Sequence, residues 1–139
     1  MKDDKVDVFI SHASKDKLKY VENLVRNIKA KGISVFYDSE SISWGDSIRE
    51  ELDKGLSNCR FAVVVISKNY FERPWTEYEL QALLNRQNRE GKKIILPILY
   101  KISKKDLASH YPALKDIKYI YSKSYKTSKI ADLILEKLK

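Results

Sequence analysis

The run Arg60-Phe61-Ala62-Val63-Val64-Val65-Ile66-Ser67 decides the fold class, because it is the most apolar segment of the chain. Its apolar residues follow one another without the alternation of a half-exposed strand, which is typical of a strand buried on both faces. Strands of this kind occur mainly in parallel sheets that carry helices on both sides. The run therefore predicts the central strand of a parallel, helix-covered sheet.

Shorter strands and helical segments alternate on either side of this run. The other predicted strands cover residues 6–10, 33–37, 93–100 and 118–121. Apolar residues recur at helical spacing between them, beginning with Leu18, Val21 and Leu24. Pro97 lies inside the fourth strand, where its missing N–H requires a bulge or a pairing that does not use this donor. Together these segments predict a flavodoxin-like α/β/α sandwich around a five-stranded parallel sheet of order 2-1-3-4-5.

Hydroxyl side chains mark the expected starts of three helices. The first helix has Ser11 or Ser14 as its candidate N-cap. Ser47 and Glu50 fit a capping box at the start of the second helix, and Ser43 is an alternative cap. Ser128 suits the N-cap of the last helix.

The composition indicates one globular domain over residues 1–139. The chain is 43% hydrophobic and 33% charged, which is enough for a core and excludes a disordered protein. No apolar run reaches the length of a membrane span, no signal peptide is visible, and Cys59 is the only cysteine. One cysteine and two histidines offer no cluster of metal ligands. We therefore expect a cytoplasmic protein without a membrane anchor, an intrachain disulfide or a metal site.

The net charge of +8 does not by itself predict nucleic-acid binding. Lysine and arginine number 27 against 19 aspartates and glutamates, but the two signs are interleaved and the basic pairs are short. No nucleic-acid-binding motif accompanies the charge. We expect these charges to coat solvated helix faces rather than to bind nucleic acid or a membrane surface.

The stretch Pro74-Trp75-Thr76-Glu77-Tyr78-Glu79-Leu80-Gln81-Ala82-Leu83-Leu84 carries an unusual polar residue. It is predicted to open a helix, with Pro74 at the first helical position. At helical spacing, Glu79 falls on the same apolar face as Trp75, whereas Glu77 points away. An inward carboxylate is uncommon unless it is paired or functional. Glu79 is therefore either a structural carboxylate, bonded to a backbone N–H or a lysine, or a site residue.

The topology brings this helix close to two other polar segments. In open parallel sheets, ligands bind at the carboxyl ends of the strands where the winding reverses, which here is between the first and third strands. The loop Ser11-His12-Ala13-Ser14 and the helix that carries Trp75 and Glu79 should meet there. The loop over residues 38–44, which includes Trp44, lies near the same rim. Trp75 could instead be plain core packing, and Trp44 could instead be a loop anchor.

The residues at the rim exclude several chemistries that this fold supports. The clustered acids of a phosphoacceptor receiver are absent after the first and third strands. Neither a glycine-rich phosphate loop nor the nucleophile elbow of a Ser–His–Asp hydrolase is present. A lone carboxylate, Glu79, remains with an indole one turn before it. A carboxylate can bind a ribose diol and stabilise the positive charge of a breaking glycosidic bond, so this combination suits a hydroxylated ligand such as a nucleoside.

Six short motifs, taken in order, resemble those of a TIR (Toll/interleukin-1 receptor) domain and span essentially the whole chain. The motifs are Asp7-Val8-Phe9-Ile10-Ser11-His12, Gly32-Ile33 through Tyr37-Asp38, Gly45-Asp46-Ser47-Ile48, Phe61 through Ser67, Tyr70, and Trp75-x-x-x-Glu79-Leu80. The bacterial branch of the family, with its Trp-x-Glu-Tyr-Glu-Leu form, is the most similar. The resemblance implies the same flavodoxin-like fold.

The resemblance also implies an enzyme that cleaves NAD⁺ to nicotinamide and ADP-ribose, or that cyclises the product. The family's catalytic glutamate falls on Glu79. The residues implied to bind the substrate are Trp75, Ser11, His12, Ala13, Trp44 and Tyr37. NAD⁺ is then the substrate, and neither a cofactor nor a metal ion is expected.

Self-association is a further implication of the resemblance. The family's self-association loop, which helps to complete the site of a neighbouring subunit, consists here of Asp38, Ser39, Glu40, Ser41, Ile42, Ser43, Trp44 and Gly45. We therefore expect a homo-oligomer that a sensor or effector domain, or a partner protein, activates in bacterial anti-phage immunity or NAD⁺ depletion. The alternative within the family is a non-catalytic adaptor that binds other TIR domains or subverts those of a host.

Overall fold

Five parallel strands form the centre of the computed structural model, which describes residues 5–37, 42–72 and 75–139. The strands are β1 (Val6–Ser11), β2 (Val35–Phe36), β3 (Cys59–Ile66), β4 (Ile95–Leu99) and β5 (Ile120–Tyr121). Their order in the sheet is β2-β1-β3-β4-β5, and every neighbouring pair is parallel. The predicted flavodoxin-like architecture and strand order are confirmed.

Helices cover both faces of this sheet. Within the described residues they are α1 (Glu22–Lys29), α2 (Ile48–Asn58), α3 (Thr76–Glu90), α4 (Lys104–His110) and α5 (Thr127–Leu138). Leu52 of α2 and Leu83 of α3 pack on one face. Leu24 of α1 and Ile134 of α5 pack on the other. None of the helices in the described ranges is long and apolar enough to cross a membrane.

The apolar run of β3 is explained by its position between two cores. Ala62, Val64 and Ile66 belong to the core under α2 and α3, and Val63 and Val65 to the core under α1 and α5. Each of these side chains is at most 1% exposed. Because both faces are buried, the strand requires apolar residues at consecutive positions.

Pro97 lies in β4, and the register with β3 continues through it without a bulge. The N–H of Tyr100 donates to the Ile66 carbonyl. The backbone N–H groups of even-numbered residues in this segment therefore point towards β3. The nitrogen of Pro97 therefore faces β5, whose pairing with β4 begins only at Ile98. The prediction of a pairing that does not need this N–H is confirmed.

Three strands are shorter than their apolar runs. The runs predicted over 33–37, 93–100 and 118–121 contain β2, β4 and β5, respectively. The edge strands β2 and β5 each pair at only two positions. An apolar run thus overestimates the length of a strand where no neighbour continues the ladder.

The segment before α1 departs from regular helical spacing. Residues Lys17–Val21 form a π turn, which is wider than an α turn, and Leu18 leaves the apolar face and is 81% exposed. The prediction that Leu18 belongs to the helical core face is wrong. Neither Ser11 nor Ser14 caps this segment. The residue before its first turn is Ala13, and no side-chain capping bond is made there.

The prediction of Ser47 as the N-cap of α2 is confirmed. Ser47 is its N-cap, and the Ser47 hydroxyl accepts the N–H of Glu50 at 3.3 Å. The predicted first helical position of α3, Pro74, lies outside the described residues.

The start of α5 is set by a tertiary contact. Its N-cap is Lys126, and Ser128 lies inside the helix, so the prediction of Ser128 as the cap is wrong. The Thr127 hydroxyl accepts hydrogen bonds of 2.9 Å from the side chains of Asn23 and Asn27. These contacts dock the first residue of α5 onto α1, which local sequence does not reveal.

Candidate active site

Glu79 lies in the first turn of α3, at the carboxyl edge of the sheet. Its side chain is fully buried, whereas Glu77 is exposed, which agrees with the helical spacing. The hydroxyl of Ser11, at the end of β1, donates a hydrogen bond of 2.6 Å to Oε1 of Glu79. The first turn of a helix also favours negative charge, because the peptide dipoles place partial positive charge there. The fold thus joins the two segments that the topology predicts to meet.

Tyr70 joins this pair from the turn over Asn69–Glu72. Its phenolic oxygen lies 2.7 Å from Ser11 Oγ, and Ser11, Tyr70 and Glu79 are all fully buried. A serine hydroxyl carries one proton. Because Ser11 gives this proton to Glu79, Tyr70 must donate its own proton to Ser11 Oγ. The result is a chain of two hydrogen bonds that ends on the carboxylate.

A second buried polar cluster lies between the loops that follow β1 and β3. Asp16 accepts hydrogen bonds from the Ser67 hydroxyl and from Asn69 Nδ2, the latter at 2.9 Å. Ser67 Oγ in turn accepts the backbone N–H of Tyr70 at 3.1 Å. Asp16 and Ser67 are each 3% exposed. This cluster fixes the turn that carries Tyr70.

His12, Ala13 and Tyr37 are buried beside the end of β1. The rings of His12 and Tyr37 are tilted by 33°, with their centroids 5.2 Å apart. His12 Nδ1 donates to the Ala13 carbonyl at 3.0 Å, since a carbonyl can only accept. Three of the residues predicted to bind a substrate therefore form one buried group that continues from Ser11.

The two tryptophans differ in their surroundings. Trp75 is the N-cap residue of α3 and is partly buried. Its ring meets that of Tyr78 edge-on, with the centroids 5.7 Å apart. Trp44 is fully exposed, so it takes no part in the buried surroundings of Glu79. A substrate-binding role for Trp44 stays a prediction.

The described part of the predicted self-association loop lies at the surface. Ile42 is half-buried, whereas Ser43, Trp44 and Gly45 are exposed. Gly45 has a φ of 95°, a conformation that favours glycine. The remainder of the loop, residues 38–41, lies outside the described residues.

The carboxylate of Glu79 has no surface in contact with solvent. Cavities of about 550 and 610 Å³ lie elsewhere, beside β4 and β5, where Ile120 borders the first and Tyr100 the second. In the described ranges, no three His, Cys, Asp or Glu side chains are grouped as a metal site requires.

Sequence reasoning did not identify Tyr70, Ser67 and Asp16 as site residues. One available signal is that Ser67 directly follows the most apolar strand, at the edge where ligands bind in such sheets. Tyr70 is one of the motifs that carry the family resemblance, but no role was assigned to it, and Asp16 follows no such rule. Their positions depend on how two loops close over one another.

Comparison with known proteins places these residues in a family. A statistical model of the family described as "TIR domain" matches residues 8–134. Over 110 residues, the chain is 43% identical to the NAD(+) hydrolase PdTIR of Paracoccus denitrificans and 42% identical to the 2′ cyclic ADP-D-ribose synthase AbTIR of Acinetobacter baumannii. Both alignments cover 79% of this chain, but only 36% of the first protein and 40% of the second. The chain therefore spans about two fifths of the length of these curated relatives.

A solved structure shows the same relationship. The TIR domains of the activated Roq1 resistosome, which directly recognises the pathogen effector XopQ, match this chain with a TM-score of 0.77 at 25% identity. The match covers 97% of this chain and 100% of that chain. The family match runs from Val8 in β1 to Ile134 in α5 and includes Ser11, Tyr70 and Glu79. The chain therefore belongs to the TIR domain family.

Proposed function

We propose that this TIR domain cleaves the bond between nicotinamide and ribose in NAD⁺ and releases ADP-ribose or a cyclic ADP-ribose isomer. The observation that carries the proposal is the position of Glu79, a buried carboxylate in the first turn of a helix and bonded to Ser11 at the carboxyl edge of the sheet. The names of two relatives, an NAD(+) hydrolase and a 2′ cyclic ADP-D-ribose synthase, support the same bond cleavage.

Glu79 supplies negative charge where positive charge develops. As the C–N bond breaks, its electron pair leaves with nicotinamide, which departs as a neutral molecule and needs no proton from a general acid. The ribose carbon becomes oxocarbenium-like, and a buried carboxylate stabilises it strongly because a protein interior screens charge weakly. Attack by water gives ADP-ribose and a proton. Attack by a hydroxyl of the ADP-ribose itself gives a cyclic isomer and a proton.

The same carboxylate can orient the substrate. A carboxylate offers about four acceptor positions, and the Ser11 hydroxyl uses one of them. The hydroxyls of the nicotinamide ribose are proposed to bind the same carboxylate once the site has rearranged. Trp75, one turn before Glu79, packs beside the ribose or the base, and His12 and Tyr37 line the loop side of the pocket. Cleavage of this bond transfers no electrons to an external acceptor, so it needs no redox cofactor.

Assembly of several copies is proposed to open the site. Substrate binding requires a rearrangement, because Glu79 is fully buried in the single chain. Trp44 and Ile48 expose large apolar side chains at and just after the self-association loop, and exposed apolar surface of this kind favours contact with another subunit. A sensor or effector domain, or a partner protein, would drive this assembly in the bacterial cytoplasm. NAD⁺ depletion or immune signalling would follow.

The exposed Trp44 also favours a second function, that of a non-catalytic adaptor. An adaptor needs an accessible loop that binds other TIR domains, but it has no use for a buried carboxylate at the rim of the sheet. The burial and bonding of Glu79 therefore favour the enzyme.

The variant Glu79→Gln tests the proposal. We expect nicotinamide release from NAD⁺, measured by chromatography at high protein concentration, to fall by about 100-fold or more, because the variant lacks the charge that stabilises the transition state. Glu77→Gln is the matched control on the same turn, and it should keep the wild-type rate because Glu77 is exposed. Circular dichroism verifies that both variants are folded.

Two results would overturn the proposal. Wild-type turnover in Glu79→Gln removes the assigned role of this carboxylate. Background nicotinamide release by the wild type, in samples where light scattering shows assembly, favours the adaptor. If nicotinamide is released, chromatography of the second product separates hydrolysis from cyclisation.

A further inference from the structure

Three elements that are distant in the sequence converge on the Glu79 carboxylate. Ser11 comes from the end of β1, Tyr70 from the turn after β3, and Glu79 from the first turn of α3. The oxygens of Tyr70 and Ser11 are 2.7 Å apart, and Ser11 Oγ lies 2.6 Å from Glu79 Oε1. None of the three residues has any exposed surface.

The direction of the protons in this chain is fixed by chemistry. The proposed reaction uses Glu79 as a carboxylate, which can only accept, so the single Ser11 proton is directed at Glu79 and the Tyr70 proton at Ser11. Each bond in such a series polarises the next and strengthens it. The donor capacity of Ser11 is therefore used on Glu79 and is not offered to a substrate.

A hydrogen bond to a neighbouring side chain fixes the backbone of Tyr70. Ser67 accepts the backbone N–H of Tyr70 at 3.1 Å and donates to Asp16. Asp16 also accepts from Asn69 Nδ2 at 2.9 Å. On the other side, the Tyr70 ring meets the Tyr111 ring edge-on, with centroids 6.1 Å apart. The phenol is thus fixed through its backbone and through its ring.

We propose that Tyr70 and Ser11 are positioning residues that hold the Glu79 carboxylate for the NAD⁺ reaction, with Asp16 and Ser67 setting the place of Tyr70. This inference rests on the proposed function and assigns Ser11 an action through Glu79 in place of direct contact with the substrate. A carboxylate that stabilises a transition state must be held within a fraction of an ångström, because a misplacement of about 1 Å can reduce the rate about 100-fold. Two hydrogen bonds in series provide that restraint.

The variants Tyr70→Phe and Ser11→Ala, alone and combined, test the proposal in the purified chain. We expect kcat for nicotinamide release to fall about tenfold in Tyr70→Phe and about 100-fold in Ser11→Ala, while KM for NAD⁺ stays within about twofold. The double variant should be no slower than Ser11→Ala, because Tyr70 acts through Ser11. Ser11→Thr keeps a hydroxyl and should recover most of the lost rate.

Tyr20→Phe is the matched control. It also removes a buried tyrosine hydroxyl, one with no hydrogen-bond partner among the described residues, and Tyr20 packs on the opposite face of the sheet from Tyr70. It should leave kcat and KM unchanged. Thermal unfolding of every variant separates a loss of catalysis from a loss of folded protein. If Ser11→Ala fails to fold, Tyr70→Phe still tests the proposal, because it nearly conserves the side-chain volume.

Each other outcome overturns a specific statement. Wild-type kcat in Tyr70→Phe, or losses that multiply in the double variant, overturns the positioning chain while the role of Glu79 stands. A raised KM with unchanged kcat in Ser11→Ala shows that Ser11 contacts the substrate instead. Absence of nicotinamide release by the wild type, in samples where light scattering shows assembly, overturns the proposed function itself, and the catalytic role of the chain falls with it.

Discussion

The two ends of α3 use glutamate in opposite ways. Glu79, in the first turn, is fully buried and accepts a hydrogen bond from the neutral Ser11 hydroxyl. Glu90, in the last turn, is partly exposed, and its Oε2 lies 2.9 Å from Arg86 Nε. The first carboxylate lies at the positive end of the helix dipole and the second at the negative end. The comparison shows one residue type placed once in a buried chain of hydrogen bonds and once in a partly exposed ion pair.

The side chain of Arg86 connects the last turn of α3 to neighbouring elements. Its guanidinium donates to the Leu56 carbonyl at 3.0 Å and to Cys59 Sγ at 3.4 Å, which ties α3 to the end of α2 and the start of β3. The hydrogen bond from Arg86 is also the main cause that holds the pKa of Glu90 below its ordinary value. Burial raises the pKa of the Cys59 thiol, although Arg86 acts against this rise. The contacts of Arg86 therefore stabilise the fold at this end of α3.

The largest effect expected to distinguish the last turn of α3 from the first is a lower free energy of unfolding in Arg86→Met. The variant leaves the Leu56 carbonyl with only the weak Cys59 thiol donor, at 3.9 Å, and removes the cation closest to Glu90. We expect the free energy of unfolding, measured in urea, to fall by about 2–3 kcal/mol. The turnover of NAD⁺ per folded molecule should not change.

Arg89→Met provides the control for this prediction. Arg89 is exposed, and its Nη2 lies 4.0 Å from the Glu90 carboxylate. Its loss should change the free energy of unfolding by less than about 0.5 kcal/mol. A lower kcat in folded Arg86→Met would break the comparison, because it would couple the structural end of α3 to the reaction.

A smaller loss of stability is expected from Gln87→Leu. Gln87 Oε1 accepts the backbone N–H groups of Ile94 and Ile95 at 2.9 and 3.1 Å, so one side chain connects α3 to the start of β4. Removing this acceptor should cost about 1–2 kcal/mol, since two backbone donors lose their partner. Hydrogen exchange at Ile94 and Ile95 should become faster.

Gln81→Leu is the matched control in the same helix. Gln81 is exposed, and its side chain donates only to Asn85 among the described contacts. The exchange rates at the start of β4 should not respond to it. Unchanged exchange in Gln87→Leu would show that β4 is held at its start by the sheet alone, which would weaken the structural role given to this end of α3.

Periodicity explains what the sequence could predict. The consecutive apolar residues of β3 follow from burial on both faces, and the inward direction of Glu79 follows from helical spacing. The same reasoning was wrong for Leu18, because a π turn changes the number of residues per turn. It was also wrong for Ser128, because the contacts of Thr127 with α1 set the start of α5.

The polar surroundings of Glu79 were beyond this reasoning for a different reason. The bonds among Ser11, Tyr70 and Glu79 join residues that are 59 and 68 positions apart, and no spacing rule relates them. Topology predicts only that β1 and α3 meet at one edge of the sheet. Which hydroxyl contacts which oxygen is decided by the closing of two irregular loops, and the hydrogen bonds of Asp16 with Ser67 and Asn69 become visible only in the folded chain.

The smallest expected effect is a change in melting temperature in Glu90→Gln. Its dependence on pH identifies the charge of Glu90 as the cause. Because the pKa of Glu90 is lowered from 4.5 in the folded chain, its charged form stabilises the fold above pH 4.5, and this contribution is lost as the pH falls through the lowered value. The wild type should therefore melt slightly higher than Glu90→Gln at pH 7, and the difference should vanish under acidic conditions. Thermal unfolding at several pH values between about 3 and 7 measures it, with Glu136→Gln, at an exposed pair with Lys139, as the control. A difference that does not depend on pH would show that the charge of Glu90 is unimportant, and the contrast between the two ends of α3 would then rest on Arg86 alone.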